Sequence, residues 1–301
     1  MRLDGVLFFP VTPFDAAGEL AEAVLARHVA DGVAAGAGGV FTACGTGEFN
    51  ALDLSEYGRA VAAAVSAAGG RVPVLGGAGG TLPAARATAR EAAARGADGL
   101  LLMPPYLVNA PAAGLVRYVR DVAAAAELPV IIYQRGNARF TPEAVAELAQ
   151  VPNIIGFKDG LGDVDLLQRI ILRVREAGHR EFTFFNGLPT AEFTMPAYRG
   201  LGVTLYSSAV FAFAPEIAIA FRKALTAGDE ALVQRLLSGF YLPLVELRDL
   251  VPGYAVSLVK AGVRLRGLEV GGVRAPLVDP SVEHVERLER IVEAGLEIAG
   301  A

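Results

Sequence analysis

A (β/α)8 TIM barrel with a C-terminal helical extension is the α/β fold that this 301-residue sequence predicts, and three observations point to it. Eight short, β-rich apolar runs alternate with alanine-rich stretches up to about residue 226. Their C-terminal ends recur 21 to 33 residues apart with no repetition of the sequence itself, which is the period of a β/α unit. The runs are also apolar almost throughout, as strands covered on both faces must be. A closed parallel barrel accounts for all three, with a doubly wound open sheet as the alternative.

In order, the strand runs are residues 7–12, 39–44, 72–76, 99–103, 130–133, 154–158, 182–186 and 203–207. Between them, Ser55 before Glu56 reads as a helix start, Thr81 with Pro83 opens a helix over 84–95, and Thr141-Pro142-Glu143 opens one reaching Gln150. Gly96 and Gly178 read as helix stops. After Thr226 the strands cease, and residues 230–246, 253–265 and 282–298 read as helices, with Pro276 and Pro280 in the connection. The expected organisation is a barrel over residues 1–226 and a helical extension over 227–301 packed against it.

Composition narrows the function. A net charge of −5 without any basic run argues against nucleic acid as a partner. The longest uncharged stretch, 99–116, holds three prolines and Asn109, so no membrane span is expected. The start, MRLDGVLFFPVTPF, carries Asp4 and is cut by Pro10, unlike a signal peptide. One cysteine, Cys44, rules out an intrachain disulfide and a cysteine-rich metal site, and makes the cytoplasm the default location.

In a barrel of this kind the active site lies on the loops after the strands. Those ends carry Thr12-Pro13, Gly45-Thr46-Gly47-Glu48, Pro104-Pro105-Tyr106, Tyr133-Gln134-Arg135, Lys158-Asp159, Asn186-Gly187 and Ser207-Ser208, a polar ring around one lysine. Lysine is scarce here, three residues against 24 arginines. An amine closing an apolar strand either snorkels to solvent, pairs with Asp159, or does what a guanidinium cannot, which is to lose its proton and attack a carbonyl. Burial would lower its pKa for that purpose. Tyr133 ends the preceding strand and would stand beside Lys158 as a proton relay, or else be an ordinary amphipathic core tyrosine.

Gly45, Thr46 and Gly47 offer backbone N–H groups and one hydroxyl to a carboxylate, although a Gly-Thr-Gly turn also serves as a plain connection. Its spacing fits neither a dinucleotide fingerprint nor a phosphate loop, so no NAD or ATP is expected, and no other cofactor. Ser207 and Ser208 end the eighth strand, where either could hold or protonate a leaving hydroxyl, or one of them could equally be a helix cap. His28, His179 and His284 lie in or beside helices, which argues against a metal site.

FFPVTPF near the start, GTGE after the second strand, a tyrosine ending the fifth and GFKD ending the sixth resemble the dihydrodipicolinate synthase and N-acetylneuraminate lyase family over essentially the whole chain. The resemblance implies a (β/α)8 barrel, commonly a homotetramer, in which Lys158 forms a Schiff base with a 2-keto acid and Tyr133 transfers protons. Two synthase features are missing: Gly45 stands where synthases have the first threonine of GTTGE, and Leu107 replaces the second of a tyrosine pair that Tyr106 begins. The strings CGTGEF, YQRGNA, GFKDGLGD, FNGLPTAE, YSSAVF and PGYAVSLVKAGVR resemble instead a branch that dehydrates and decarboxylates a six-carbon keto-deoxy diacid. Such a substrate implies a partner for its second carboxylate, for which Ser207, Ser208 and Asn186 rank ahead of Arg135, whose fork suits a carboxylate but could instead pair with a neighbour. An aldolase of the same family acting on a keto-deoxy sugar acid is the alternative, and a non-catalytic 2-keto-acid binding protein is a more distant one.

Overall fold

The computed structural model describes Met1 and residues 3–300. Eight strands, β1 (Val6–Phe8), β2 (Ala37–Thr42), β3 (Val74–Gly80), β4 (Gly99–Pro105), β5 (Val130–Gln134), β6 (Ile154–Asp159), β7 (Thr183–Asn186) and β8 (Leu205–Ser208), close in sequence order into a parallel barrel. The last pairs back onto the first, with Leu7 opposite Ser207 and Phe8 opposite Ser208. The closed barrel replaces the open-sheet alternative. β1 stops at Phe8, well short of residue 12, because Pro10 and Pro13 have no N–H to give to a ladder.

Helices α1 (Glu22–Ala34), α2 (Leu54–Ala68), α3 (Leu82–Ala94), α4 (Ala112–Ala123), α5 (Pro142–Ala149), α6 (Val164–Glu176), α7 (Met195–Gly200) and α8 (Pro215–Ala227) follow the strands in turn. Thr81 and Thr141 cap α3 and α5 as their sequences require, each accepting from the N–H three residues on. At α2 the cap is Asp53 instead of Ser55. Its carboxylate accepts the Glu56 N–H while the Glu56 carboxylate accepts the Asp53 N–H, a reciprocal box that leaves Ser55 inside the first turn. Gly96 and Gly178 lie just past their helices with φ of +82° and +92°, values that glycine adopts without steric cost.

The C-terminal residues form α9 (Glu230–Leu236), α10 (Leu242–Arg248), α11 (Tyr254–Leu265) and α12 (Val282–Ala299). Residues 230–246 are therefore not one regular helix. Pro243 cannot donate to the ladder, and a π turn over Leu237–Tyr241 separates α9 from α10.

Strand alternation sorts the side chains. Leu7, Phe41, Leu75, Leu101, Ile131, Tyr133, Phe185 and Leu205 point inward and fill the barrel. Their neighbours Phe8, Val40, Leu100, Ile132, Phe157, Phe184 and Tyr206 point outward into the larger core beneath the helices.

Candidate active site

Alternation along β6 sends Phe157 outward and Lys158 inward, where the lysine is 5% exposed. Its Nζ lies 4.1 Å from the centroid of the Tyr133 ring and 4.6 Å from that of Phe9. Among the described residues no carboxylate pairs with it. Burial, aided by the nearby Arg135 charge, pushes the amine down to about 7. Asp159 does not neutralise it, because the next residue on a strand faces the other way. The Asp159 carboxylate instead accepts from Gln134 Nε2, the Leu161 and Gly162 N–H groups and the Tyr198 hydroxyl. Both unreactive readings of Lys158, snorkelling and pairing with Asp159, are thus set aside by its surroundings.

Tyr133 sits directly across from Lys158 in the β5–β6 register. Its hydroxyl donates to the Gly187 carbonyl at 2.8 Å. Burial raises the phenol pKa, and the Arg135 guanidinium counters part of the rise. Two glycines make this closeness possible. A Cβ on Gly187 would come 2.6 Å from Lys158 Cγ, and one on Gly160 would come 2.7 Å from Tyr133 Cε2.

One pocket opens above this pair, lined by Gly45, Thr46, Tyr133, Arg135, Lys158 and Ser207 of the anticipated residues. The Gly45-Thr46 loop lies between two non-glycine residues in left-handed conformation, Ala43 (φ +48°) and Glu48 (φ +54°). Thr12 Oγ1 donates to the Gly47 carbonyl at 2.6 Å. The Glu48 carboxylate accepts from Lys260 Nζ at 2.7 Å and from the Arg274 N–H at 2.8 Å. No partner holds the Gly45 or Thr46 N–H among the described residues, so both donors are available to a ligand.

Three anticipated residues lie elsewhere. Asn186 pairs in register with Asp159 and Tyr206, on the outward parity. It is fully buried there, its Nδ2 donating to the Ala191 carbonyl and Thr194 Oγ1 while its Oδ1 accepts the Leu188 N–H. Ser208 is likewise outward, its hydroxyl donating to Glu192 and accepting the Phe211 N–H. Gly47 is buried behind the loop, with its carbonyl occupied by Thr12. All three fix backbone next to the pocket and none lines it.

The pocket also takes residues that carry no local signal in the sequence. Pro189 and Thr190 border it after β7, and Leu244, Arg248 and Tyr254 border it from the C-terminal helices. Nothing in the sequence separates Arg248 from 23 other arginines, and the helical extension predicts only packing against the barrel. The Tyr254 hydroxyl meets His284 Nδ1 at 3.0 Å, so one histidine stands directly behind the pocket wall. Two arginines, Arg135 and Arg248, line the pocket beside Lys158, and among the described residues no Asp or Glu does. Such a lining favours an anionic ligand.

The model of the dihydrodipicolinate synthetase family matches residues 2–295. The chain belongs to the dihydrodipicolinate synthetase family. Within this family it is similar to "Probable 5-dehydro-4-deoxyglucarate dehydratase 1" of Streptomyces avermitilis, 60% identical over 97% of this chain and 93% of that protein. The protein of the same name from Streptomyces coelicolor is 61% identical over 97% and 92%. A "Probable 5-dehydro-4-deoxyglucarate dehydratase" of Azotobacter vinelandii is 45% identical over 96% and 94%. Among solved structures, a prophage protein of the dihydrodipicolinic acid synthase family from E. coli, in complex with pyruvate, superimposes with a TM-score of 0.85 at 29% identity over 97% of this chain and 98% of that one. The dihydrodipicolinate synthase of Oceanobacillus iheyensis shares the fold, with a TM-score of 0.88 at 24% identity over 96% and 95%.

Proposed function

We propose that this chain is a Schiff-base-forming hydro-lyase that converts 5-dehydro-4-deoxy-D-glucarate to 2,5-dioxopentanoate, water and carbon dioxide. The observation that carries the reading is Lys158. It is a buried amine without a carboxylate partner, held under a phenol in a pocket lined by cations. The names of relatives 45 to 61% identical over nearly the whole chain supply the substrate.

In this mechanism the Gly45 and Thr46 N–H groups and the Thr46 hydroxyl hold the carboxylate next to the keto group. The neutral Lys158 amine attacks the keto carbon, and Tyr133 shuttles protons as the carbinolamine loses water to give the imine. The protonated imine acidifies the adjacent CH2. Proton loss there gives an enamine, which expels the hydroxide one carbon further on, protonated as it leaves as water. Ser207 borders the pocket and is the serine available to assist that departure. The resulting iminium is conjugated to a carbon–carbon double bond, an electron sink that accepts the pair released when the distal carboxylate leaves as carbon dioxide. Tautomerisation of the enol and hydrolysis of the imine release the product, with no external cofactor required.

Residues 1–226 are the catalytic barrel in this reading and 227–301 the extension that completes the pocket wall. A cytoplasmic homotetramer belongs to the same proposal, and light scattering at four times the 31.3 kDa chain mass would support it. No helix among the described residues is long and apolar enough to cross a membrane. Product analysis with 5-dehydro-4-deoxyglucarate tests the reaction. Carbon dioxide and 2,5-dioxopentanoate are expected, both abolished in Lys158→Ala, whereas release of pyruvate would make the protein an aldolase.

A further inference from the structure

Taking the proposed reaction as given, we infer that Arg248 is the specificity-determining residue for the distal carboxylate. Its partial neutralisation by Asp249 lets it attract that carboxylate without gripping it. Two arginines border the pocket, and they occupy different places. Arg135 follows Tyr133 on β5 and lies close enough to the reacting centre to perturb both Lys158 and Tyr133. It therefore belongs with the imine. Arg248 comes from the end of α10, outside the barrel, and is fastened to the loop after β7: its Nη1 donates to the Pro189 carbonyl at 2.9 Å and to Thr190 Oγ1 at 3.0 Å. Thr190 has a φ of +52°, strained for a threonine, and this contact helps to hold it.

The rest of the guanidinium is committed to one carboxylate. Nε donates to Asp249 Oδ1 at 2.8 Å and Nη2 to Asp249 Oδ2 at 3.1 Å, a two-point fork. Of the five N–H donors of an arginine, four are used, which leaves one on Nη2. This restraint suits decarboxylation. The distal carboxylate carries a full charge in the bound substrate and loses it on the way to carbon dioxide, so a bidentate arginine would stabilise the ground state more than the transition state and slow the step. A single donor on a part-neutralised cation selects a diacid over a monoacid while leaving the carboxylate free to go.

The test compares borohydride trapping of the Lys158 imine with the diacid and with pyruvate, which lacks the distal carboxylate, together with steady-state carbon dioxide release. In Arg248→Met the KM for the diacid should rise on the order of 10- to 100-fold, the effect of one hydrogen bond to a charged group, while trapping with pyruvate changes much less. Arg248→Lys should recover part of the loss. Asp249→Asn frees the fork, so KM for the diacid should fall together with kcat for carbon dioxide release, an outcome that a merely structural Arg248 would not produce. Equal losses for diacid and pyruvate in Arg248→Met, or an unchanged KM and kcat in Asp249→Asn, would overturn the assignment. Failure of the unmodified protein to trap pyruvate or the diacid would overturn the imine reading, and this assignment with it.

Discussion

Lys158 and Tyr133 owe their chemistry to two facts of strand geometry, inward parity and adjacent register. Since burial and the Arg135 charge bring the amine down to about 7, the rate of imine formation should rise with pH through an apparent pKa near 7 and level off above it. Replacing Arg135 by Met removes a positive charge that disfavours the ammonium, so this limb should move to higher pH. A limb that stays in place would show that Arg135 does not act on the lysine. At this scale the sequence was readable where scarcity helped, with one lysine of three ending an apolar strand. Position at a strand end carries no parity, so it could not show that Asn186 faces away from the pocket, nor that of the two serines it is Ser208 that caps the following turn. Phe185 and Leu205 are inward apolar residues, and counting in twos from them sends Ser207 into the barrel and Asn186 and Ser208 out of it.

Among the elements, the loop after β2 shows how the C-terminal helices serve the site. Lys260 on α11 is fully buried, donating to Glu48 and to the Gly272 carbonyl while it lies 4.1 Å from the Phe14 ring centroid. Arg274 covers the same ring at 3.9 Å and forks onto Glu56 of α2. Both oxygens of Glu48 are thereby fixed at the residue that ends the Gly45-Thr46 turn. Lys260→Met should destabilise the protein by about 3–5 kcal/mol, because it strands a buried carboxylate, and Glu48→Gln combined with it should restore much of that loss in a denaturant double-mutant cycle. Additive losses would show that the two groups are not a pair. Helix existence was readable in these elements from apolar periodicity and caps. Their attachment was not, because the pair joins residues 212 positions apart and neither carries a local signal of its partner.

For the molecule as a whole, two buried groups, both beside the β1–β8 seam of the barrel, act against each other on stability. His28 on α1, edge-on to Phe8 at 5.1 Å, is lowered to about 4 by burial. Its contribution is complete above pH 6.5 and is lost as pH falls toward 4. Glu192, bonded to Ser208, is raised to about 7 by burial, so its contribution is complete below pH 4.5 and is lost as pH rises toward 7. Each amounts to about 3 kcal/mol at most, and over pH 4.5–6.5 they cancel. Unfolding free energy should therefore rise more steeply with pH in Glu192→Gln than in the unmodified protein and fall with pH in His28→Leu. Parallel profiles for all three would contradict these placements. Barrel closure was readable from the period and the unbroken apolarity of the strands, whereas such long-range compensation depends on burial that only the fold reveals. The central claim, covalent catalysis at Lys158 with loss of carbon dioxide, is tested most directly by a peptide mass spectrum after incubation with 5-dehydro-4-deoxyglucarate and borohydride. A reduced adduct on the peptide containing Lys158, with carbon dioxide evolved in parallel and neither seen in Lys158→Ala, is the predicted result; an unmodified Lys158 while carbon dioxide is still released would contradict it.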